Sequence, residues 1–192
     1  VTEGEAWNRI SGGFLMTPEI AAYGDFPIFI GSAPEGVDLV VDNVSIKKVV
    51  DVANSLVAVD CERPILNGDF ETGDYRDWHV RGTGEGGQLE MVTGYGGTGS
   101  AVRHFNRPSA SEGSEKWHGI IQTLPMSCFD KGETWTIQAK FRFFDPNGTP
   151  VMCDKSDPRA DDSCPTFKLL AGGVVESGAL TNIDPGEAVV GE

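Results

Sequence analysis

From Trp135 to Phe143 the apolar residues Trp135, Ile137, Ala139, Phe141 and Phe143 alternate without a break with Thr136, Gln138, Lys140 and Arg142. A strict period of two puts all five apolar side chains on one face of an extended strand, whereas a helix would scatter them around its circumference. A strand with one such face has to bury it against a second layer. Similar segments run Trp7–Met16, Pro27–Gly31, Val37–Val50, Asp77–Val80, Gln88–Thr93, Ser100–Phe105, Trp117–Leu124 and Thr166–Leu170. Turn chemistry separates them, as in Ala33-Pro34-Glu35-Gly36, the glycine-rich run from Gly94 to Gly99, and Asp145-Pro146-Asn147-Gly148. Helix signals are nearly absent, so nine or ten strands at this spacing predict an all-β fold, an antiparallel β-sandwich of the jelly-roll kind. Residues 51–65 read as a connector. The tail from Ala171 to Glu192, with Gly-Gly, Ser-Gly and Asp-Pro-Gly, reads as a long loop or a partly ordered end.

Charge narrows the partners. With 29 acidic against 15 basic residues the formal net charge is −14, which repels nucleic acid and anionic membrane surfaces over most of the exterior. No run of eighteen apolar residues is available to span a bilayer, and Val1 opens no signal-peptide pattern, as expected for a mature or internal piece of a longer protein.

Cys61, Cys128, Cys153 and Cys164 lack the paired spacing of a zinc ribbon or a thioredoxin site and read as disulfides. Cys153 and Cys164 bracket a polar segment that a bridge would close at low strain, which leaves Cys61 with Cys128, although connectivity is not legible from sequence. Sequons at Asn147 and Asn43 agree with an extracellular or cell-surface location.

Ile65-Leu66-Asn67-Gly68-Asp69-Phe70-Glu71 is followed by Trp78, by Gly97-Thr98-Gly99-Ser100-Ala101-Val102, by Trp117-His118-Gly119-Ile120-Ile121-Gln122-Thr123-Leu124 and by Gly132-Glu133-Thr134-Trp135-Thr136-Ile137-Gln138-Ala139. In that order these pieces resemble the first two thirds of the carbohydrate-binding modules of the family 4, 9 and 22 group. The closing third of the pattern stands upstream. Trp7 to Phe14, Phe29-Ile30-Gly31 and Gly36 to Ile46, with Val41-Asp42-Asn43-Val44-Ser45-Ile46, look like the last strands of such a module. Residues 1–50 thus read as closing strands and 66–192 as opening and central strands. Either the chain is a circularly permuted module, or it is one period of a tandem array in which a neighbouring repeat or chain completes each sandwich; the array is the favoured expectation. Exchange of halves between copies would build a filament.

The resemblance implies ligands held in a groove on one sheet, where aromatic faces stack on sugars and polar side chains take the hydroxyls. Trp117 matches the position where the family places a platform. Gln122, Lys140 and Arg142 are expected on solvent-facing phases of central strands, Arg107 and Tyr95 are loop candidates, and Trp7, Trp78 and Trp135 are expected in the core. The resemblance also implies a structural calcium held by Glu71, Asp42 and the carbonyl of Gly68. Asn43 stands where the family has a second aspartate.

Other motifs fail on context. Gly82 to Gly87 fits a dinucleotide fingerprint but leads into a strand, and no His-Glu-x-x-His or Gly-x-Ser-x-Gly pattern occurs. The resemblance, which is to binding appendages rather than catalytic domains, implies non-catalytic binding of a polysaccharide or glycan. The alternative is a structural repeat of an extracellular fibre or wall layer without sugar binding.

Overall fold

The alternating run forms the longest strands' common backbone. In the computed structural model, which describes residues 7–22, 26–31, 36–49, 61, 63–81, 87–107, 118–151, 165–169 and 182–183, it becomes β8 (Thr134–Phe144) and pairs with the equally long β3 (Asp38–Lys48). The other strands are β1 (Asn8–Leu15), β2 (Phe26–Gly31), β4 (His79–Arg81), β5 (Gln88–Thr93), β6 (Ser100–Phe105), β7 (Gly119–Leu124), β9 (Pro150–Val151), β10 (Thr166–Leu169) and β11 (Asn182–Ile183). A four-residue helix, α1 (Pro18–Ala21), joins β1 to the next strand region.

The strands make two antiparallel sheets. One has six strands in the order β1-β8-β3-β6-β5, with β9 beside β8; the other has five in the order β11-β10-β2-β7-β4. Ile137, Ala139, Phe141 and Phe143 of β8 meet Ile28 and Ile30 of β2, Ile120 and Leu124 of β7, and Phe167 and Leu169 of β10 in one interior cluster. Burying each of these larger side chains is worth about 1.5–3 kcal/mol relative to leaving it exposed. The expected all-β sandwich is what the chain forms.

The upstream strands are not appended to this sandwich but built into it. β3 lies between β8 and β6, and β2 lies between β10 and β7, so residues 8–48 supply inner strands of both sheets. Without them each sheet would present unpaired N–H and C=O groups along two edges. The strands that the array expectation assigned to a neighbour come from the same chain. The connection is short in space: the Val49 N–H donates to the carbonyl of Thr134 at 2.8 Å, and Cys61 is disulfide-bonded to Cys128. Val49 and Cys61 therefore both sit at one corner, Cys128 to Thr134, whose own chain can span no more than about 20 Å.

The Asn-Gly-Asp-Phe-Glu turn is held for reasons legible residue by residue. The carbonyl of Gly68 accepts the Val44 N–H at 2.8 Å, and a Cβ at position 68 would lie 2.1 Å from the Val44 oxygen, so only glycine fits. Asn67, at φ 46°, donates its amide to the carbonyl of Asp74 at 2.7 Å, while Trp78 donates Nε1 to the Asn67 carbonyl and packs its ring 5.7 Å from that of Phe70. Val44 belongs to β3, so this turn is one of the points where the two sequence segments lock together.

Two expectations need correction here. The tail contributes a strand, since β11 pairs with β10 through Ile183 and Asn182. Trp78 and Trp135 are core residues as expected, at 1% and 2% exposure, but Trp7 is not: it is half-buried on the outside of the six-stranded sheet. Its aromatic ring finds a cation there rather than a hydrophobic interior. Cys153, Cys164 and the loop between them lie outside the described residues.

Candidate functional site

Each sheet turns one face to the interior and one outward, and the outward faces differ. On the five-stranded sheet Ile28 and Ile30 point inward, so Phe29 points out. Register places His79, Ile121, Phe29 and Lys168 side by side across β4, β7, β2 and β10, and Arg81, Gly119 and Gly31 in the neighbouring row. The two glycines leave a trough over the middle strands. The ring of Phe29 lies across it, since a Cβ at Gly31 would come within 2.1 Å of that ring and one at Gly119 within 2.6 Å. Phe29 is wholly buried, with the guanidinium of Arg81 5.8 Å from its centroid. The ring therefore fills the trough, and longer polar side chains stand at its margins: His79 and Arg81 on β4, Lys168 on β10.

The outer face of the six-stranded sheet is a ladder of rings and cations. Lys140 Nζ stands 4.5 Å from the Tyr95 centroid, and the Arg142 guanidinium 4.6 Å from that of Trp7 and 5.0 Å from that of Phe144. Trp7 and Tyr95 meet edge to face, with centroids 5.9 Å apart. Such cation–ring contacts are worth about 0.5–1 kcal/mol each at exposed sites. Arg103 on the same face is neutralised by Asp38 and Glu90.

The sequence-predicted binding residues therefore do not share one place. Lys140, Arg142 and Tyr95 come together on the six-stranded sheet. Trp117 lies outside the described residues, but it precedes β7, a strand of the five-stranded sheet. Gln122 is not on a solvent phase: it shares the inward phase with Ile120 and Leu124, is 2% exposed, and spends its amide on the N–H and C=O of Leu66 and the carbonyl of Asp77. A buried amide so occupied ties the Asn-Gly turn to β7 and is out of a surface ligand's reach. Arg107 is likewise interior, at 8% exposure, donating to the carbonyls of Val37 at 2.8 Å and His118 at 3.1 Å. Burial lowers its pKa to about 10, which still leaves it charged at neutral pH. Phe29, Arg81, His79 and Lys168 were missed by sequence reasoning, because Phe26 to Ile30 is apolar throughout and shows no phase.

Of the residues nominated for a metal, Asp42 and Glu71 meet on one turn. Asp42 accepts the N–H groups of Tyr95 and Asn43, each at 2.6 Å, and Glu71 accepts that of Ser100 at 2.9 Å. Burial pushes Asp42 above the ordinary carboxylate value, those backbone donors pull it back, and the charges of Glu71 and Asp69 push it up further. A hard cation with oxygen ligands would relieve this crowding of negative charge. Among the described residues no three acidic, imidazole or thiol side chains converge as a metal cage, so backbone oxygens would have to complete the ligand set. The Gly68 carbonyl already accepts the Val44 N–H.

The family model described as a carbohydrate binding domain, CBM_4_9, matches residues 64–183, well over half of the chain. The chain belongs to this carbohydrate-binding family. No curated protein and no solved structure matches it. The carbohydrate-binding match takes in the Asn-Gly turn and every strand from β4 to β11, whereas β1, β2 and β3 lie upstream of it. Both outer faces are thus composite: Phe29 and Trp7 come from outside the matched residues, and their neighbours Arg81, Tyr95, Lys140 and Arg142 from within. Among the described residues no helix is long and apolar enough to cross a membrane.

Proposed function

We propose that this protein is a non-catalytic carbohydrate-binding module of an extracellular or cell-surface protein, and that its glycan lies on the outer face of the five-stranded sheet. The observation that carries this reading is the row of polar side chains, His79, Arg81 and Lys168, at the margins of the Gly31–Gly119 trough that the Phe29 ring fills. The long polar side chains beside the filled trough can donate to sugar hydroxyls. Trp117, immediately upstream of β7, supplies the aromatic platform in this reading. The Cys61–Cys128 bond supports an oxidising compartment, and Asn43 and Asn147 are exposed, as glycan acceptors need to be.

Calcium belongs to the same reading as a structural ion held by Asp42 and Glu71. When bound it supplies positive charge to the turn from Gly94 to Ser100, which both carboxylates already hold through backbone N–H groups. The carboxylates fix that turn, and the turn carries Tyr95.

Affinity gel electrophoresis against neutral polysaccharides such as xylan, mixed-linkage glucan and hydroxyethylcellulose tests the proposal. Retardation of the wild type by at least one polymer, lost in Trp117→Ala and Arg81→Ala while circular dichroism stays unchanged, is the expected result. No retardation by any polysaccharide would instead leave the protein as a structural module.

A further inference from the structure

We infer that the outer face of the six-stranded sheet is a second binding surface, whose ligand is a polysaccharide bearing carboxylates. This goes beyond the proposed neutral-glycan trough and does not depend on it, because the two faces lie on opposite sides of the sandwich.

In an acidic molecule cations are scarce, and here three of them are contiguous. Arg9 of β1 is the register partner of Lys140 of β8, and Arg142 follows Lys140 two residues along the same face. Cross-strand partners stand about 5 Å apart and successive same-face residues about 7 Å apart. That spacing is comparable to the advance of one sugar along an extended chain. Arg9 donates to the side-chain oxygen of Gln138 at 2.6 Å, and Arg142 to the carbonyl of Thr93 at 3.3 Å. Lys140 makes no ion pair among the described residues.

Among the described residues the acids of this face are committed elsewhere. Asp38 and Glu90 pair with Arg103. Asp42, the register partner of Lys140 on β3, is 3% exposed and directs its oxygens at the N–H groups of Tyr95 and Asn43. Among the described residues, what reaches solvent across β1 and β8 is therefore positive. It is also aromatic: Tyr95 is 39% exposed beside Lys140, and Trp7 is half-buried beside Arg142. Lys140, lying over the Tyr95 ring, keeps the N–H donors of its ammonium for other partners. Low side chains border the patch, since Ser11 and Gly13 continue the outer face of β1. A uronate fits this chemistry, its carboxylate on a guanidinium or ammonium and its C–H face against Tyr95.

Binding of the 192-residue chain to polygalacturonate and to a neutral polysaccharide, each at 20 mM and 500 mM NaCl, tests the inference. Wild type is expected to bind polygalacturonate at low salt, with at least tenfold weakening at high salt because exposed charges are screened beyond about 3–10 Å. The double variant Arg9→Gln/Lys140→Gln is expected to lose at least tenfold in polygalacturonate affinity with neutral-polysaccharide binding unchanged, and Lys140→Arg to retain it. The single variant Arg9→Gln, at an exposed edge-strand position, gives a partial loss and guards against misfolding of the double variant. Trp117→Ala is expected to leave polygalacturonate binding intact, so failure of the trough reading and failure of this one are separable. Absence of polygalacturonate binding by wild type, or salt-insensitive binding kept by the charge variants, overturns the inference.

Discussion

The two outer faces of this sandwich rest on the same interior, yet one is a filled trough and the other a ladder. On the five-stranded sheet, glycines at the centre let a phenyl ring lie flat against the backbone, and polar side chains stand at the sides. On the six-stranded sheet, rings and cations alternate and rise from the surface. The difference teaches that belonging to a sheet's outer phase does not define a site. What a face can bind depends on which strands the chain brings next to one another, and here three of the strands that decide it come from upstream of the family match.

The contrast can be broken most severely at the glycines. Gly119→Ala would push a methyl group to 2.2 Å from the Ile30 carbonyl oxygen, a backbone atom that cannot step aside. We expect a loss of at least about 3 kcal/mol, read as a lowered denaturant midpoint. An unchanged midpoint would mean that the trough is not packed as described.

Arg107→Met comes next. It removes a buried guanidinium that serves the carbonyls of Val37 and His118, and so loosens the approach to β3 on one sheet from that to β7 on the other. The expected cost is about 2–3 kcal/mol. Wild-type stability in this variant would argue that water satisfies both carbonyls.

The proposed calcium site sharpens the comparison because Asp42 and Glu71 lie beside Tyr95, and so on the ladder rather than the trough. Adding calcium at about a hundred times its dissociation constant should stabilise the wild type by about 2.7 kcal/mol, and Asp42→Asn or Glu71→Gln should erase most of that gain. A melting temperature indifferent to calcium and to chelator would remove the ion from the account.

The smallest effect is expected at Gly13, on the outer face of β1. Its added Cβ would meet only the Trp135 carbonyl oxygen at 3.4 Å, so Gly13→Ala should shift stability by no more than about 1 kcal/mol, toward greater stability. A large loss there would show that this face is as tightly filled as the trough.

Much of the fold was legible because alternation reports phase directly. β5 and β6 fall where the sequence puts them, and the Asn-Gly turn can be read because Gly68 has no space for a side chain. Phase, however, names neither the partner strand nor the sheet, which is why Gln122 and Lys140 could be placed in one site when they belong to strands of different sheets. Residue type also misled at two positions. Gln122 is polar and inward because it satisfies the backbone of Leu66 and Asp77, and Trp7 is aromatic and outward because Arg142 covers its ring. The two-residue strands β9 and β11 are too short to show any period.

The central claim is that neutral sugar and the cationic ladder occupy opposite sides of one sandwich. Backbone amide chemical shifts, followed by NMR during titration with a soluble neutral oligosaccharide, address it most directly. The account predicts perturbations clustered at His79, Arg81, Phe29, Ile121 and Lys168, with Lys140 and Arg142 still. Perturbations centred on Lys140, Arg142 and Tyr95 instead would contradict it.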